Sequence, residues 1–278
     1  MLDAGRTYTL EVLRDVRIGL HLGLDGEELV LLPRRLAPDD VSVGDTVSVF
    51  VYTDSEDRLT ATTEVPLAQL GELACLDVVD VTPHGAFLHW GLDKDLFLPF
   101  SEMHDPVRVG DRVVVYLSHG ARGRVIANAR LARHLSDDLR DLEVGQPVKA
   151  LVFGFNDHGA LVVVDERWQG MIHDSELHSV VYIGDQLDGF VKELRRDRKV
   201  EVSLVRPGLA RIDDATQRIL DALTEEGGTL QLHDKSPPAA ISARLGISKK
   251  AFKNAVGGLY RQRRIRFVPG GIALVEGE

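Results

Sequence analysis

The residues best suited to chemistry in this sequence are lysines and arginines that could bind phosphate. Between Lys235 and Val275 the chain has nine basic residues and no carboxylate. Cations that cluster without neighbouring acids are typical of a surface that binds the phosphates of a nucleic acid. Seven of them are our candidate contacts: Lys249, Lys250, Lys253, Arg261, Arg263, Arg264 and Arg266.

A second basic run lies at residues 192–199, where five cations stand against two acids. The candidate contacts in it are Lys192, Arg195, Arg196, Arg198 and Lys199. We expect this run to span the last hairpin of a β-domain, beside that domain's binding face. A solvated hairpin tip would carry the same charges, so the run alone leaves both interpretations open.

The sequence has no recognisable catalytic arrangement. It lacks a glycine-rich phosphate loop, a Gly-x-Ser-x-Gly elbow and a His-Glu-x-x-His motif. The one cysteine, Cys75, can form neither an internal disulfide nor a thiolate zinc site. His173, Asp174 and Ser175 are the residue types of a catalytic triad, but adjacent positions on a strand do not give triad geometry. We therefore expect a non-enzymatic protein without a cofactor or a bound metal.

Charge is distributed unevenly along the chain. The protein has 278 residues, of which 44% are hydrophobic and 27% charged, and its net charge is −10. The net charge by segment is −7 for residues 1–68, −4 for 69–143, −2 for 144–210 and +3 for 211–278. A nucleic acid would therefore meet the least repulsion at the C-terminal segment, and we expect the first segment to be dispensable for binding.

The beginning of the chain has no signal-peptide pattern. No apolar run approaches the ~20 residues that cross a bilayer. We expect a soluble, cytoplasmic protein that has no membrane partner.

Four sequence markers recur three times in one register. A glycine in a similar context marks each copy: Gly19, Gly85 and Gly159. Each marker glycine is preceded by another glycine 14 residues earlier and followed by a Gly-Asp pair that begins 25 residues later. An arginine follows each marker glycine by 39 residues: Arg58, Arg124 and Arg198. This register predicts three copies of one unit of roughly 65 residues.

Each unit has the pattern of five β-strands. Alternating or β-branched positions predict first strands at residues 7–13, 73–81 and 148–155. A second strand runs through the marker glycine, where a kink lets a sheet close. Five strands with a long third connection match the five-stranded OB barrel. We predict a mainly β protein with three tandem OB barrels, at residues 1–68, 69–143 and 144–210.

Residues 211–278 have a different pattern, which predicts an α/β winged-helix domain. After a linker at residues 206–209, a first helix is predicted with its N-cap at Asp213 or Asp214. Prolines at 237–238 begin a second helix that stops at Gly246, and Ser248 caps a third helix from Lys249 to about Gln262. A hairpin is predicted at 265–268 and 272–275. Such a domain would contact nucleic acid or, alternatively, only other proteins.

The repeated unit resembles the S1 RNA-binding domain. The resemblance rests on the kink glycine, the Val-Gly-Asp turn and a His-x-Ser-Glu type of segment, which is closest at residues 171–177, fair at 98–103 and degenerate at 32–36. Three such units and the C-terminal segment together resemble the conserved virulence factor B family over nearly the whole chain. The resemblance implies RNA binding and a role in bacterial post-transcriptional regulation.

The resemblance also implies five positions on the binding face of each unit, which are two rings, a histidine, an aspartate and an arginine. The first unit has Ile18, His21, Pro33, Asp54 and Arg58; the second has His84, Phe87, Pro99, Gly120 and Arg124; the third has His158, Leu161, His173, Leu194 and Arg198. Only the arginine is present in every copy. Besides the basic residues above, the candidate contacts are His84, Phe87, Arg124, His158 and His173. A barrel that is only a scaffold, with a solvated face, stays the alternative.

We expect single-stranded RNA as the partner, held mainly through its phosphates with limited base stacking. Two other functions stay open. One is a DNA-binding transcriptional regulator that uses the winged helix on a duplex. The other is an accessory subunit that docks on a ribosome or a ribonuclease through its acidic N-terminal unit.

Overall fold

The computed structural model describes residues 2–54, 56, 58–177, 179–205 and 209–275. The first barrel contains β1 (Arg6–Val16), β2 (Gly19–Leu24), β3 (Glu27–Pro33), β4 (Thr46–Thr53) and β5 (Leu59–Thr62). These strands close in the order β1-β2-β3-β5-β4. Only the β3–β5 pair is parallel among the described ladders of this barrel.

Alternating side chains build the core of this barrel. Leu10 and Val12 on β1 are buried, and so are Leu20 and Leu22 on β2. Because successive side chains on a strand point to opposite faces, these residues turn inward, while Glu11 and His21 between them are only half-buried. The alternation of apolar and polar residues in the sequence therefore corresponds to side chains that point alternately into and out of the barrel.

Two further sheets repeat this strand order. The second contains β6 (Leu73–Thr82), β7 (Gly85–His89), β8 (Leu96–Pro99), β9 (Arg112–His119) and β10 (Val125–Asn128), and the third contains β11 (Pro147–Asn156), β12 (Gly159–Val164), β13 (Trp168–His173), β14 (Gln186–Leu194) and β15 (Val200–Ser203). The third closes like the first, whereas in the described part of the second β8 and β10 lie side by side without a backbone ladder. The prediction of a mainly β fold with three five-stranded OB barrels is confirmed.

The marker glycines permit a close backbone approach between the second and third strands. At Gly159 the angle φ is +147°, and a β-carbon would lie 2.0 Å from the carbonyl oxygen of Ile172. Any side chain at this position would overlap that backbone, so only glycine fits. The predicted kink is thus a place where β12 lies directly against β13.

The first two barrels share part of one core. Phe50 and Tyr52 on β4 pack into the apolar cluster of the second barrel. The Phe50 ring meets Trp90 edge-on, with ring centroids 5.6 Å apart. The backbone nitrogen of Leu67 also donates to the carbonyl of Trp90 at 2.7 Å. These contacts hold the first barrel against the second.

A separate apolar cluster joins the second and third barrels. Val114 on β9 and Leu131, in a short 3-10 helix (Leu131–Arg133), are buried against Val163 of β12. Cys75 and Ile183 pack at the edge of this cluster. Each barrel therefore contacts the next one along the chain through apolar side chains.

The C-terminal segment has the predicted winged-helix order. Its elements are α1 (Leu209–Glu225), β16 (Thr229–Leu230), α2 (Pro238–Leu245), α3 (Lys249–Arg261), β17 (Ile265–Val268) and β18 (Gly271–Leu274). Ile219 and Leu223 of α1 and Phe252 and Leu259 of α3 are fully buried in one core. Ser248 caps α3 as predicted, because its side chain accepts a hydrogen bond from the backbone nitrogen of Ala251 at 3.2 Å.

Two details of this segment differ from the predictions. The helix α1 begins at Leu209, so Asp213 and Asp214 lie inside it and neither is its N-cap; leucine and alanine at positions 209 and 210 are good helix formers. The strand β16 was not predicted, since two residues are too few to show alternation. Of the predicted linker at 206–209, residues 206–208 lie outside the described residues and Leu209 instead begins α1. The bounds of the four domains stay predictions. Among the described helices, none has the length and apolar character that crossing a membrane requires.

Candidate nucleic-acid interface

Two phenylalanines meet on the outer face of the second barrel. Phe87 on β7 and Phe97 on β8 stand directly opposite each other in the antiparallel ladder. Their neighbours along each strand are buried in the core, so both rings point away from it. The ring centroids are 5.3 Å apart, at an angle of 45°. The pair offers an aromatic surface on which a base could stack.

This aromatic pair lines a cavity of about 410 Å³, a volume in the lower part of the roughly 300–1,000 Å³ range of small-ligand sites. The three residues predicted for the second unit, His84, Phe87 and Arg124, all line it. His84 is exposed beside the β6–β7 turn, and Arg124 lies just before β10. The structure thus brings together rings and a cation from positions 40 residues apart in the sequence.

The first barrel supplies one wall of the same cavity. Tyr52 and Thr53 at the end of β4 line it, and the Nζ atom of Lys94 donates to the carbonyl of Thr53 at 2.8 Å. Burial raises the pKa of Tyr52, so its phenol keeps its proton as a hydrogen-bond donor. The site therefore spans two barrels, which the spacing within one repeat does not predict.

On the third barrel the equivalent face is less aromatic. His173 pairs with Gly159 across β12 and β13, which brings it close to His158 at the same end of the barrel. Leu161 and Met171 occupy the places that Phe87 and Phe97 hold on the second barrel. This face has two imidazoles at its rim and an apolar, non-aromatic centre.

The basic run at residues 192–199 is partly neutralised by carboxylates. The Nζ atom of Lys192 lies 2.8 Å from Glu201 and 3.2 Å from Glu176, and its hydrogen bond to Glu201 raises the pKa of Lys192. Arg195 pairs with Asp197 at 3.1 Å, and Arg198 pairs with Asp137. Three of the five predicted contacts are therefore ion-paired.

The sequence did not reveal these pairs because some partners come from distant elements; Asp137 is 61 residues from Arg198. Arg196 and Lys199 are exposed and have no ion pair with a described carboxylate. They are the cations of this run that are most accessible to phosphate.

The cations of the winged helix keep more of their charge available. Lys250 and Lys253 are exposed on α3, and Arg263, Arg264 and Arg266 are exposed between α3 and β17 and on β17. None of these five, nor Arg261, is ion-paired with a described carboxylate. Lys249 differs, since its Nζ atom donates to the carbonyl of Ser236 at 2.9 Å. The predicted contacts therefore form an exposed cationic surface, on which Lys249 is partly occupied by its hydrogen bond to Ser236. Phosphate binding by this surface stays a prediction.

A cavity of about 1160 Å³ lies between the second and third barrels. Arg112, Arg130 and Lys199 line it together with Phe155 and Tyr182. Of these only Lys199 was predicted, because the cavity exists only where two domains meet. No group of His, Cys, Asp or Glu among the described residues is arranged to hold a metal ion.

Family comparisons match three parts of the chain. Residues 4–64 and 70–129 match the S1 domain family, and residues 217–274 match the CvfB-like winged helix domain family. The match includes the first unit, although its residues agree least with the S1 sequence pattern.

Several proteins are similar over most of their length. The uncharacterized protein YitL of Bacillus subtilis is 29% identical over 275 residues, which cover 94% of this chain and 90% of YitL. Conserved virulence factor B of Staphylococcus aureus USA300 is 26% identical over 265 residues, which cover 91% of this chain and 88% of that protein. A crystal structure of a multidomain protein with nucleic acid binding domains from Streptococcus pneumoniae covers 98% of both chains, at 26% identity and a TM-score of 0.44.

Proposed function

The chain belongs to the conserved virulence factor B family, in which S1 domains precede a CvfB-like winged helix, and from this premise we propose that it binds single-stranded RNA. Lysines and arginines hold the phosphates, and a few rings stack on bases. The protein catalyses no reaction in this proposal. It acts in the bacterial cytoplasm as a post-transcriptional regulator.

The observation that carries the proposal is the cavity on the second barrel. Single-stranded nucleic acid is bound by rings that stack on bases and by cations that follow the backbone. Phe87 and Phe97 supply the rings, while His84 and Arg124 stand at the same cavity. A base that enters the cavity would stack on the phenylalanines with its phosphate directed toward Arg124.

The basic residues supply the larger share of the affinity in this proposal. Arg196, Lys199 and the exposed winged-helix cations that have no ion pair with a described carboxylate supply this positive charge. His158 and His173 add polar rings at the rim of the third barrel. Lys192, Arg195 and Arg198 contribute less, because a phosphate must compete with carboxylates that already bind them.

Replacing one ring tests the cavity. We expect Phe87→Ala to weaken binding of a fluorescein-labelled single-stranded RNA about fivefold or more in fluorescence anisotropy, because stacking contributes about 1–3 kcal/mol per base. The matched control is Phe100→Ala, which removes a ring that is 45% exposed on the same barrel but outside the cavity. Equal losses in the two variants would mean that the cavity is not the binding site.

Salt dependence tests the phosphate contacts. If four to six phosphates are neutralised, the logarithm of the affinity should fall with the logarithm of salt concentration at a slope of about −3 to −4 for a single strand. The measurement is a series of anisotropy titrations between low and physiological salt. A slope near zero would show that the basic residues do not carry the affinity.

Duplex DNA is the second candidate ligand, and the exposed lysines of α3 favour it. In helix-turn-helix domains the second helix of the motif lies in the major groove, and Lys250 and Lys253 are exposed on the corresponding helix. Competition of unlabelled duplex DNA against labelled single-stranded RNA separates the two functions. Release of the RNA by equimolar duplex DNA would favour a DNA-binding regulator.

A further inference from the structure

Two aromatic rings are exposed together at the edge of the winged helix. Tyr260 lies in the last turn of α3, and Phe267 lies on β17. Their ring centroids are 4.9 Å apart. Tyr260 is 52% exposed and Phe267 is 53% exposed, so each ring keeps about half of its surface in contact with solvent.

The core of the domain does not require this pair. The buried side of α3 consists of Phe252, Ala255, Val256 and Leu259. On β17 the inward position is Ile265, which is 2% exposed. Phe267 is two residues further along the strand, so it lies on the same sheet face but beyond the packed helices. The two rings therefore pack on each other outside the main core.

Positive charge surrounds the pair. Arg261, Arg263 and Arg264 follow Tyr260 directly in the chain, and Arg266 precedes Phe267. None of these arginines is ion-paired with a described carboxylate, and Arg261 is the only one whose side chain hydrogen-bonds to a described residue, from Nε to the carbonyl of Gly257 at 3.2 Å. Rings interleaved with unpaired cations suit a ligand that has both aromatic and anionic groups.

We infer that Tyr260 and Phe267 form a stacking platform for an unpaired base, while the neighbouring arginines hold its flanking phosphates. This inference rests on the proposed binding of single-stranded RNA and adds a second stacking site to the one on the second barrel. Bases inside a duplex already stack on each other and present no free face to these rings. The platform therefore makes the winged helix prefer an unpaired strand to a duplex.

Ring-deleting and ring-retaining variants of the full chain test the platform. We expect Tyr260→Ala and Phe267→Ala each to weaken binding of a fluorescein-labelled single-stranded RNA about fivefold or more, with an unchanged salt slope. Tyr260→Phe and Phe267→Tyr keep the rings and should bind like the unaltered protein. Affinity for a duplex RNA of the same length should not change in any of the four. Circular dichroism checks that each variant is folded.

Arg264→Ala separates failure of the platform from failure of the proposed function. If the alanine variants of Tyr260 and Phe267 bind single strands normally while Arg264→Ala binds more weakly with a shallower salt slope, the platform is wrong and RNA binding stands. The platform is also wrong if the ring deletions weaken duplex and single-strand binding alike. If the unaltered protein does not bind single-stranded RNA at low salt, the proposed function itself fails.

Discussion

Arginines at the same position of two barrels have different partners. Arg58 donates from Nε and Nη2 to Asp54 at 2.9 and 2.8 Å, and its Nη1 atom lies 2.8 Å from Glu56. Among the described carboxylates Arg198 pairs with Asp137 alone, and both side chains are largely exposed. The first arginine is held by two carboxylates of its own loop, whereas the second has one exposed partner.

We therefore predict that Arg198→Ala weakens RNA binding more than Arg58→Ala does. An exposed ion pair contributes little, about 0–1 kcal/mol, so phosphate can compete with Asp137 for Arg198. Anisotropy titrations at low salt measure the difference. Asp137→Asn should conversely strengthen binding, because it releases Arg198; weaker binding by that variant would contradict this reasoning.

His134 is a second residue whose surroundings determine its behaviour. Its ring lies flat against Tyr116, with centroids 4.3 Å apart. Its Nε2 atom is buried and has no hydrogen-bond partner among the described residues. Burial lowers the pKa of His134; the Glu102 carboxylate opposes this shift and the Arg133 cation adds to it.

We predict that His134 makes the protein less stable in acid. Its pKa is lower in the folded state than the ordinary value of about 6.5, so just below that pH the unfolded chain binds more protons and the free energy of unfolding falls. His134→Phe keeps a ring against Tyr116 and removes the titrating group. In urea denaturation its gain in stability should be larger at pH 5 than at pH 8, and an equal gain at both would show that His134 does not titrate in this way.

At the scale of elements, α3 contains two glycines that its packing does not need. A β-carbon at Gly257 or Gly258 would meet no atom within 4 Å outside the helix's own backbone. Glycine in a helix costs about 1 kcal/mol relative to alanine. The helix that presents Lys250 and Lys253 is thus less stable than its packing allows.

We predict that Gly257→Ala and Gly258→Ala each raise the free energy of unfolding by about 0.5–1 kcal/mol. Thermal unfolding followed by circular dichroism measures the gain. Gly159→Ala is the matched control and should be strongly destabilising, because its β-carbon would overlap the backbone of Ile172. Destabilisation by the α3 substitutions would indicate a neighbour that the packing does not show.

Structural elements could be predicted from the sequence where they depend on residues that are close together in the chain. The Ser248 cap depends on a contact three residues away, and the marker glycines depend on one hairpin. Phe97 was missed although it could have been found, because pairing Gly85 with Pro99 places Phe97 opposite Phe87. Tyr52 could not be found in this way, since it reaches the cavity only through the packing of one barrel on another.

At the scale of the whole molecule, the first barrel does more than its sequence indicates. Its net charge of −7 suggested that residues 1–68 were dispensable. The structure gives the opposite expectation, because Phe50 and Tyr52 complete the core of the second barrel and Tyr52 and Thr53 wall its cavity. Charge alone did not reveal a structural role that depends on buried rings.

We predict that a fragment of residues 69–278 unfolds at a lower temperature than the full chain and binds RNA more weakly. Removing 1–68 would expose Trp90, against which Phe50 packs, and open one side of the cavity. A fragment of residues 1–210 should keep the stability of the barrels and lose about tenfold in affinity, or ~1.4 kcal/mol. Calorimetry and anisotropy measure both fragments. Unchanged melting of residues 69–278 would rule out the shared core.

The position of Cys75 gives the joint between the second and third barrels a built-in reporter. Its Sγ atom lies 3.9 Å from the carbonyl oxygen of Ile183 on the third barrel, and burial raises the pKa of the thiol. A half-buried thiol with a raised pKa reacts slowly with alkylating reagents, so its rate of labelling should rise when the two barrels separate. Because the chain has no other cysteine, that rate follows one event. An RNA that bridges both barrels would slow the labelling, and an RNA held by the winged helix alone would leave its rate unchanged.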